Sequence, residues 1–192
     1  KNMDVQMAPA SMTKMMTAIL AVENLDMDTV VSIDKNAAHY EYNSIDLKKG
    51  EELTVRQLIT AMLTGSLNDC AIALADTMSG NEKDFANMMN GRAKELGCKN
   101  TNFVNSNGMP DPEHLSTAYD MALITKKFME YDELRKICKL KTYTLKKTNK
   151  SGERKITTTN RLLYDKTTTC EVNGKTETCY YKYAIGTDRK SV

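Results

Sequence analysis

The sequence predicts an α/β (α+β) fold in which a helical half precedes an antiparallel β half. Three observations carry this. Apolar residues recur at helical spacing through most of the stretch from Met12 to Phe128. β-branched runs bounded by turn residues take over from Thr142. No repeat and no low-complexity linker separates the halves, so they read as one assembly, a helical lobe plus an antiparallel sheet. A chain of 192 residues is long enough to bury one such core.

The first helix is marked by Met12, Met15, Met16, Ile19, Leu20 and Val22, with Ala18 and Ala21 between them. Pro9 suits its start, and Ser11 can act near its N-cap. The β-branched run Thr29 to Ile33 reads as a short strand, followed by a polar stretch from Asn36 to Glu52. Thr54-Val55-Arg56-Gln57 reads as a capping box that opens the helix through Leu58 to Leu63, and Gly65 ends it. Asn68 or Ser66 opens the next helix, through Ala71 to Ala75. Ser79-Gly80-Asn81-Glu82 reads as a second capping box, starting a helix through Phe85, Met88, Met89 and Leu96 that Gly97 closes. A Pro/Gly/Asn-rich loop spans Asn105 to Pro112. Ser116 or Thr117 then caps a helix through Met121, Leu123, Ile124 and Phe128. Thr142 to Leu145 and Ile156 to Thr159 read as strands joined by a turn at Asn149 to Gly152. Asn173-Gly174 is a hairpin-turn signal flanked by Cys170 and Cys179, and Tyr180 to Ile185 follows.

Composition narrows the function classes. A net charge of +2 suggests no nucleic-acid or polyanion partner. No run approaches the roughly 18 apolar residues of a membrane span, and the opening Lys1-Asn2-Met3-Asp4 shows no signal peptide. The 13 methionines read as core filler, and the five cysteines make no metal-ligand pattern, so neither metal nor cofactor is expected. Cys70, Cys98 and Cys138 read as buried thiols. Cys170 and Cys179 are candidates for a disulfide closing their hairpin in an oxidising compartment. His39 and Tyr40 read as loop residues. Lys146, Lys147 and Lys150 read as a solvated hairpin face, and Asn149-Lys150-Ser151 is a glycosylation sequon by pattern.

Two short patterns carry chemistry. In Ser11-Met12-Thr13-Lys14 the serine and lysine are three apart, so on a helical segment they share a face, and the amine can take the hydroxyl's proton. The plainer reading is a cap and a solvated lysine. Ser32-Ile33-Asp34-Lys35 has the same spacing, but it lies on the predicted strand, where residues three apart point to opposite faces. In Ser66-Leu67-Asn68, read as a loop between two helices, a hydroxyl that relays a proton and an amide that holds a substrate amide can face one cleft. Ser and Asn also fill such loops for turn reasons alone.

Together, at this separation, the two patterns resemble those of the low-molecular-mass penicillin-binding proteins, the serine-type D-alanyl-D-alanine carboxypeptidases. Their order is Ser-x-x-Lys, then Ser-x-Asn, then Lys-Thr-Gly. The flanks add to the resemblance: Met7 to Ala18, Ser66 to Ala75, Phe103 to Met109, His114 to Ala122, and Thr159 to Leu163. It covers the chain from about Met7 to about Gly186. The resemblance implies a β-lactamase/DD-peptidase-like transpeptidase fold. It implies Ser11 as nucleophile, Lys14 as acylation base, Ser66 as proton relay and Asn68 as a substrate-binding residue. Lys14 must be neutral to accept a proton. Peptidoglycan pentapeptide stems are the implied substrates and β-lactam antibiotics the implied covalent inhibitors. The implied place is extracytoplasmic, in a bacterial cell envelope, with peripheral membrane association through a C-terminal segment.

The third motif is the departure. Lys175-Thr176-Glu177 has its first two letters but no glycine, and falls at the hairpin tip. Tyr181 to Gly186 resembles the approach to that motif, but Thr187-Asp188-Arg189-Lys190 stands in its place. Residues 1–192 are therefore expected to form one catalytic domain incomplete at both ends, through omitted residues or a true end. Three alternatives follow: a β-lactamase of the same fold, a D,D-endopeptidase, or a non-catalytic muropeptide-binding module. A β-lactamase needs a deacylating glutamate, for which Glu113 and Glu130 are candidates by position only.

Overall fold

A computed structural model describes residues 2–160, 163, 169–172 and 175–178, the last two groups as strand backbone. A 3₁₀ turn, Ala10–Thr13, runs into helix α1 (Lys14–Asn24). Strand β1 (Val30–Ser32) pairs antiparallel with β2 (Glu52–Thr54), placing Val31 opposite Leu53, both buried. Helices α2 (Val55–Gly65), α3 (Asn68–Ser79), α4 (Glu82–Glu95), α5 (Ala118–Phe128) and α6 (Asp132–Ile137) follow. The β half holds two further antiparallel hairpins, β3 (Thr142–Leu145) with β4 (Arg154–Thr157) and β5 (Thr169–Val172) with β6 (Lys175–Thr178).

Helix α1 sits at the centre, packed on α2, α3 and α5. Met16, Ile19, Leu58, Ile59, Met62 and Leu74 are fully buried between these helices. Burying side chains of this size contributes about 1.5–3 kcal/mol each, which fixes α1 and the turn at its head.

The predicted capping box at Thr54 forms in full. Thr54 accepts from the Gln57 N–H, and the Gln57 side chain accepts from the Thr54 N–H. Thr117 caps α5, accepting from the Asp120 N–H. The second predicted box fails: Asn81, not Ser79, caps α4 by accepting from the Asp84 N–H. Ser79 is instead the last residue of α3. Gly80, at φ +76°, stops that helix in the left-handed region and leaves one residue in which to cap the next. Strand β4 begins two residues earlier than the β-branched run suggested, because Arg154 is drawn in by a buried partner.

That partner is Glu51, at the end of the stretch read as polar. It is fully buried, ion-paired with Arg154, and accepts from Thr148 Oγ1 at 2.7 Å and the Lys48 N–H at 2.9 Å. Asn149 completes the joint, accepting from the Glu52 N–H at 2.9 Å and donating to the Gly50 carbonyl at 3.0 Å. Burial pushes the Glu51 carboxyl up, but the Thr148, Lys48 and Arg154 donors outweigh it and hold it below its usual value. Glu51→Ala leaves Arg154 without its counter-charge and is expected to cost about 3–5 kcal/mol in urea unfolding at neutral pH. The effect should fade as acid protonates Glu51 in the wild type, since a depressed carboxyl gives its stability only while ionised. Equal urea midpoints for wild type and variant at pH 7 would refute this.

Candidate active site

Ser11 and Lys14 are both buried, and Lys14 Nζ donates to Ser11 Oγ at 3.2 Å. The same nitrogen donates to the Asn107 carbonyl at 2.7 Å. The local conformation differs from the predicted one. Ser11 lies inside a 3₁₀ turn, and neither that turn nor α1 has a side-chain cap. Side chains three apart eclipse in a 3₁₀ turn, so the tighter winding brings hydroxyl and amine together. The plainer reading, a cap and a solvated lysine, is therefore overturned. The Ser32 copy is not carried on one strand, since β1 ends at Ser32 and Lys35 lies in the turn beyond it; both side chains are exposed, unlike Ser11 and Lys14.

The second motif is more compact than a loop. Ser66 is the C-cap of α2 and Asn68 is already the first residue of α3. Gly65 ends α2 as expected, and the left-handed residue that follows it is Ser66, at φ 57° and ψ 38°. Gly65 is needed for space. A Cβ there would stand 2.7 Å from Ile156 Cγ2 and 2.9 Å from Leu67 Cγ. Ser66 therefore bears the roughly 1–2 kcal/mol cost of the left-handed conformation, and its carbonyl is held by Asn43 Nδ2 at 2.5 Å.

Residues 40–47, read as part of a polar stretch, form a wall of the site. Asn68 Nδ2 donates to the Tyr42 carbonyl at 2.8 Å, and the Asn68 N–H to the Asn43 carbonyl at 2.8 Å. Asp69, fully buried, accepts from the N–H groups of Ile45 and Leu47 at 3.0 and 3.3 Å. Burial raises its carboxyl, and these donors pull it back in part. Tyr40 and Tyr42 meet edge to face with centroids 6.3 Å apart, and burial raises the Tyr40 hydroxyl, the Asn107 side chain working against that rise.

The loop Asn105 to Pro112 joins the two motifs. Its Asn107 carbonyl holds Lys14, its Ser106 carbonyl accepts from Thr17 Oγ1 at 2.6 Å, and Met109 Sδ lies 3.7 Å from Asn68 Nδ2. It is braced internally by Asn105 Oδ1, which accepts from the Gly108 N–H at 2.7 Å, and by Asn107 Oδ1, which accepts from the Met109 N–H at 2.9 Å. The sequence marked this segment as a Pro/Gly/Asn-rich loop and, through Phe103 to Met109, as part of the family resemblance. Neither signal says what the carbonyls grip.

His114, assigned no chemistry from sequence, is buried behind the 3₁₀ turn. Its Nδ1 accepts from the Val104 N–H at 3.0 Å, so Nε2 carries the proton and donates to Thr13 Oγ1 at 2.8 Å. Burial pushes its pKa down from 6.5 to about 4, against a small upward pull from Asp111. Between those values the unfolded chain binds a proton that the folded chain refuses. Stability is therefore expected to fall as pH drops from about 6.5 to about 4, by up to roughly 3 kcal/mol. Urea unfolding at pH 7 and pH 4.5 should show this loss in the wild type and a smaller one in His114→Gln. Parallel losses in both proteins would contradict it.

Other sequence expectations fall elsewhere. Cys170 lies on β5 opposite Glu177, while Cys179 is outside the described residues, as is the segment from Tyr181 to Lys190. Lys175 and Thr176 open β6, opposite Val172 and Glu171 of β5. Cys70 and Cys98 are buried as expected, whereas Cys138, the C-cap of α6, is only half-buried. Among the described residues, no three His, Cys, Asp or Glu side chains gather as a metal ion would require.

Comparison with known proteins matches this geometry to one family. A family profile described as D-alanyl-D-alanine carboxypeptidase matches residues 1–185. The D-alanyl-D-alanine carboxypeptidase DacF of Bacillus subtilis is 41% identical over 141 residues, 71% of this chain and 36% of that protein. DacA of Haemophilus influenzae is 32% identical over 175 residues, 86% of this chain and 43% of that protein. The crystal structure of DacD from Francisella tularensis superposes with a TM-score of 0.77 at 30% identity, covering 91% of this chain and 56% of that one. The chain thus spans between 36% and 56% of the length of these three relatives. Its mixture of helices and antiparallel pairs is that of the DD-peptidase structures, as the resemblance implied. With the profile matching nearly end to end, the chain belongs to the D-alanyl-D-alanine carboxypeptidase family.

Proposed function

We propose that the protein is a penicillin-sensitive D-alanyl-D-alanine carboxypeptidase that removes the terminal D-alanine from peptidoglycan stem peptides. The single observation that carries this is the buried contact of 3.2 Å between Lys14 Nζ and Ser11 Oγ. An unprotonated Lys14 takes the Ser11 proton as Oγ attacks the carbonyl carbon of the penultimate D-alanine. The positive end of α1 favours the developing oxyanion. Ser66 relays that proton from Lys14 to the departing D-alanine amine, and water then hydrolyses the ester on Ser11, one water proton returning to Ser11 Oγ as the acid leaves. Asn68 aligns the peptide backbone. The substrate places the enzyme outside the cytoplasmic membrane, in the cell envelope.

A penicillin follows the same first step, its β-lactam amide opening onto Ser11. The two glutamates suggested for a β-lactamase are both exposed, and Glu130 pairs with Lys127 at 3.0 Å. That placement favours a carboxypeptidase that keeps its penicillin over a β-lactamase that sheds it.

Full-length protein should gain the mass of one penicillin, mapping to the peptide that contains Ser11, and should release D-alanine from a peptide ending in D-Ala-D-Ala. Binding of that peptide without D-alanine release would favour a non-catalytic muropeptide-binding module. Absence of both adduct and release would end the proposal.

A further inference from the structure

Glu82, the first residue of α4, is a mostly buried carboxylate that neither motif includes. Its two oxygens take two donors from one residue of the bridging loop. Ser106 donates its N–H to Oε2 at 2.8 Å and its hydroxyl to Oε1 at 2.6 Å. Burial raises the Glu82 carboxyl, and the Ser106 donors work against that rise.

Ser106 is gripped from α4 on one side and grips α1 on the other. Its own carbonyl accepts from Thr17 Oγ1 at 2.6 Å, and the next carbonyl, that of Asn107, accepts from Lys14 Nζ at 2.7 Å. Ser106 is thus held through its N–H, its hydroxyl and its carbonyl, on both peptide groups that flank it, which leaves the next residue little freedom. The Asn107 carbonyl, at 2.7 Å the shorter of the two bonds from Lys14 Nζ described above, helps to set where that nitrogen sits relative to Ser11 Oγ.

We propose that Glu82 is a positioning residue for acylation: by fixing Ser106 it aims the Asn107 carbonyl, which holds Lys14 against Ser11. The inference rests on the reading of Ser11 and Lys14 given above. It adds a distant carboxylate to that machinery without giving it contact with substrate.

Saturation kinetics of acylation by a fluorescent penicillin, on the full-length protein, test it. Misplacing a reacting group by about 1 Å costs on the order of 10²-fold, so Glu82→Ala should slow the limiting acylation step about 10- to 100-fold. The concentration at half-saturation should hardly move. Mere destabilisation would instead lower the reactive fraction and leave the rate of that fraction unchanged. Glu82→Gln keeps an acceptor for the Ser106 N–H and can pair with the hydroxyl in reverse, so it should recover the rate to within about threefold, less than the worth of one hydrogen bond. Should Glu82→Ala not fold, Ser106→Ala removes one of the two bonds and should slow the step about 3- to 10-fold. A wild-type limiting rate in folded Glu82→Ala, or in Ser106→Ala, overturns the proposal. Ser11→Ala separates the two levels of the argument. If it still forms the adduct, the underlying reading fails. If it does not, a negative result at Glu82 bears on Glu82 alone.

Discussion

Ser11→Ala is expected to abolish covalent capture of penicillin and release of D-alanine, and Lys14→Ala to slow both by about 10²–10⁴-fold, the usual contribution of a placed general base. Lys14→Arg is the sharper test. A guanidinium reaches the same region, stays charged and donates hydrogen bonds, but it does not give up its proton. If Lys14 served only as a cationic prop, arginine would restore much of the rate. As a base it should be no better than alanine. The observed geometry predicts the second result: Lys14 is buried, with its nitrogen shared between Ser11 Oγ and a backbone carbonyl. Stopped-flow acylation with thermal melts on each variant would decide it. A Lys14→Arg protein within tenfold of wild type would remove Lys14 from the role of base.

Gly108→Ala is expected to be the most damaging substitution outside the motifs. Gly108 has φ +85°, and a Cβ there would stand 1.8 Å from the Ala10 carbonyl oxygen and 2.3 Å from its carbon. Both obstacles are backbone, so no side chain can swing away. The backbone next to Ser11 and the loop that holds Lys14 meet at this point, and relief requires that they part. Stability should fall by about 4 kcal/mol or more, and any folded protein should acylate at least about 10²-fold more slowly. Gly91→Ala is the control. It lies exposed within α4 with nothing near its missing Cβ, and should gain up to about 1 kcal/mol. Denaturation of the pair checks both signs, and a Gly108→Ala protein as stable as wild type would refute the first.

Much of the fold was legible because it is local. Helical spacing after Ser11, the box at Thr54 to Gln57 and the cap at Thr117 are decided by neighbours within a turn, and each appears where the residues put it. The errors have the same cause turned round. The pattern read Ser79 to Glu82 as a capping box, but the left-handed Gly80 ends α3 after Ser79, and Asn81 caps α4 instead. Gly65 ends α2 as read, but the reason that position is a glycine, the methyl of Ile156 across the fold, was not legible. Ser11 and Lys14 were legible as a pair, and so was the rejection of Ser32. What surrounds them was not. The carbonyl of Asn107, the imidazole of His114 and the backbone of Tyr42 reach the motifs through contacts that no sequence period encodes.

The bond from Lys14 to Asn107 joins residues 93 positions apart, and this has a consequence for how the protein comes into being. Contacts so far apart in sequence are made late, since a long loop must close before they give anything back. A chain emerging from the ribosome can wind the turn at Ser11 and pack α1 on α2 and α3 well before the segment that steadies the amine exists. The serine is thus displayed early and armed later. Acylation competence, followed during refolding or on stalled nascent chains, should therefore lag behind formation of α1 and report closure of the loop that carries Asn107.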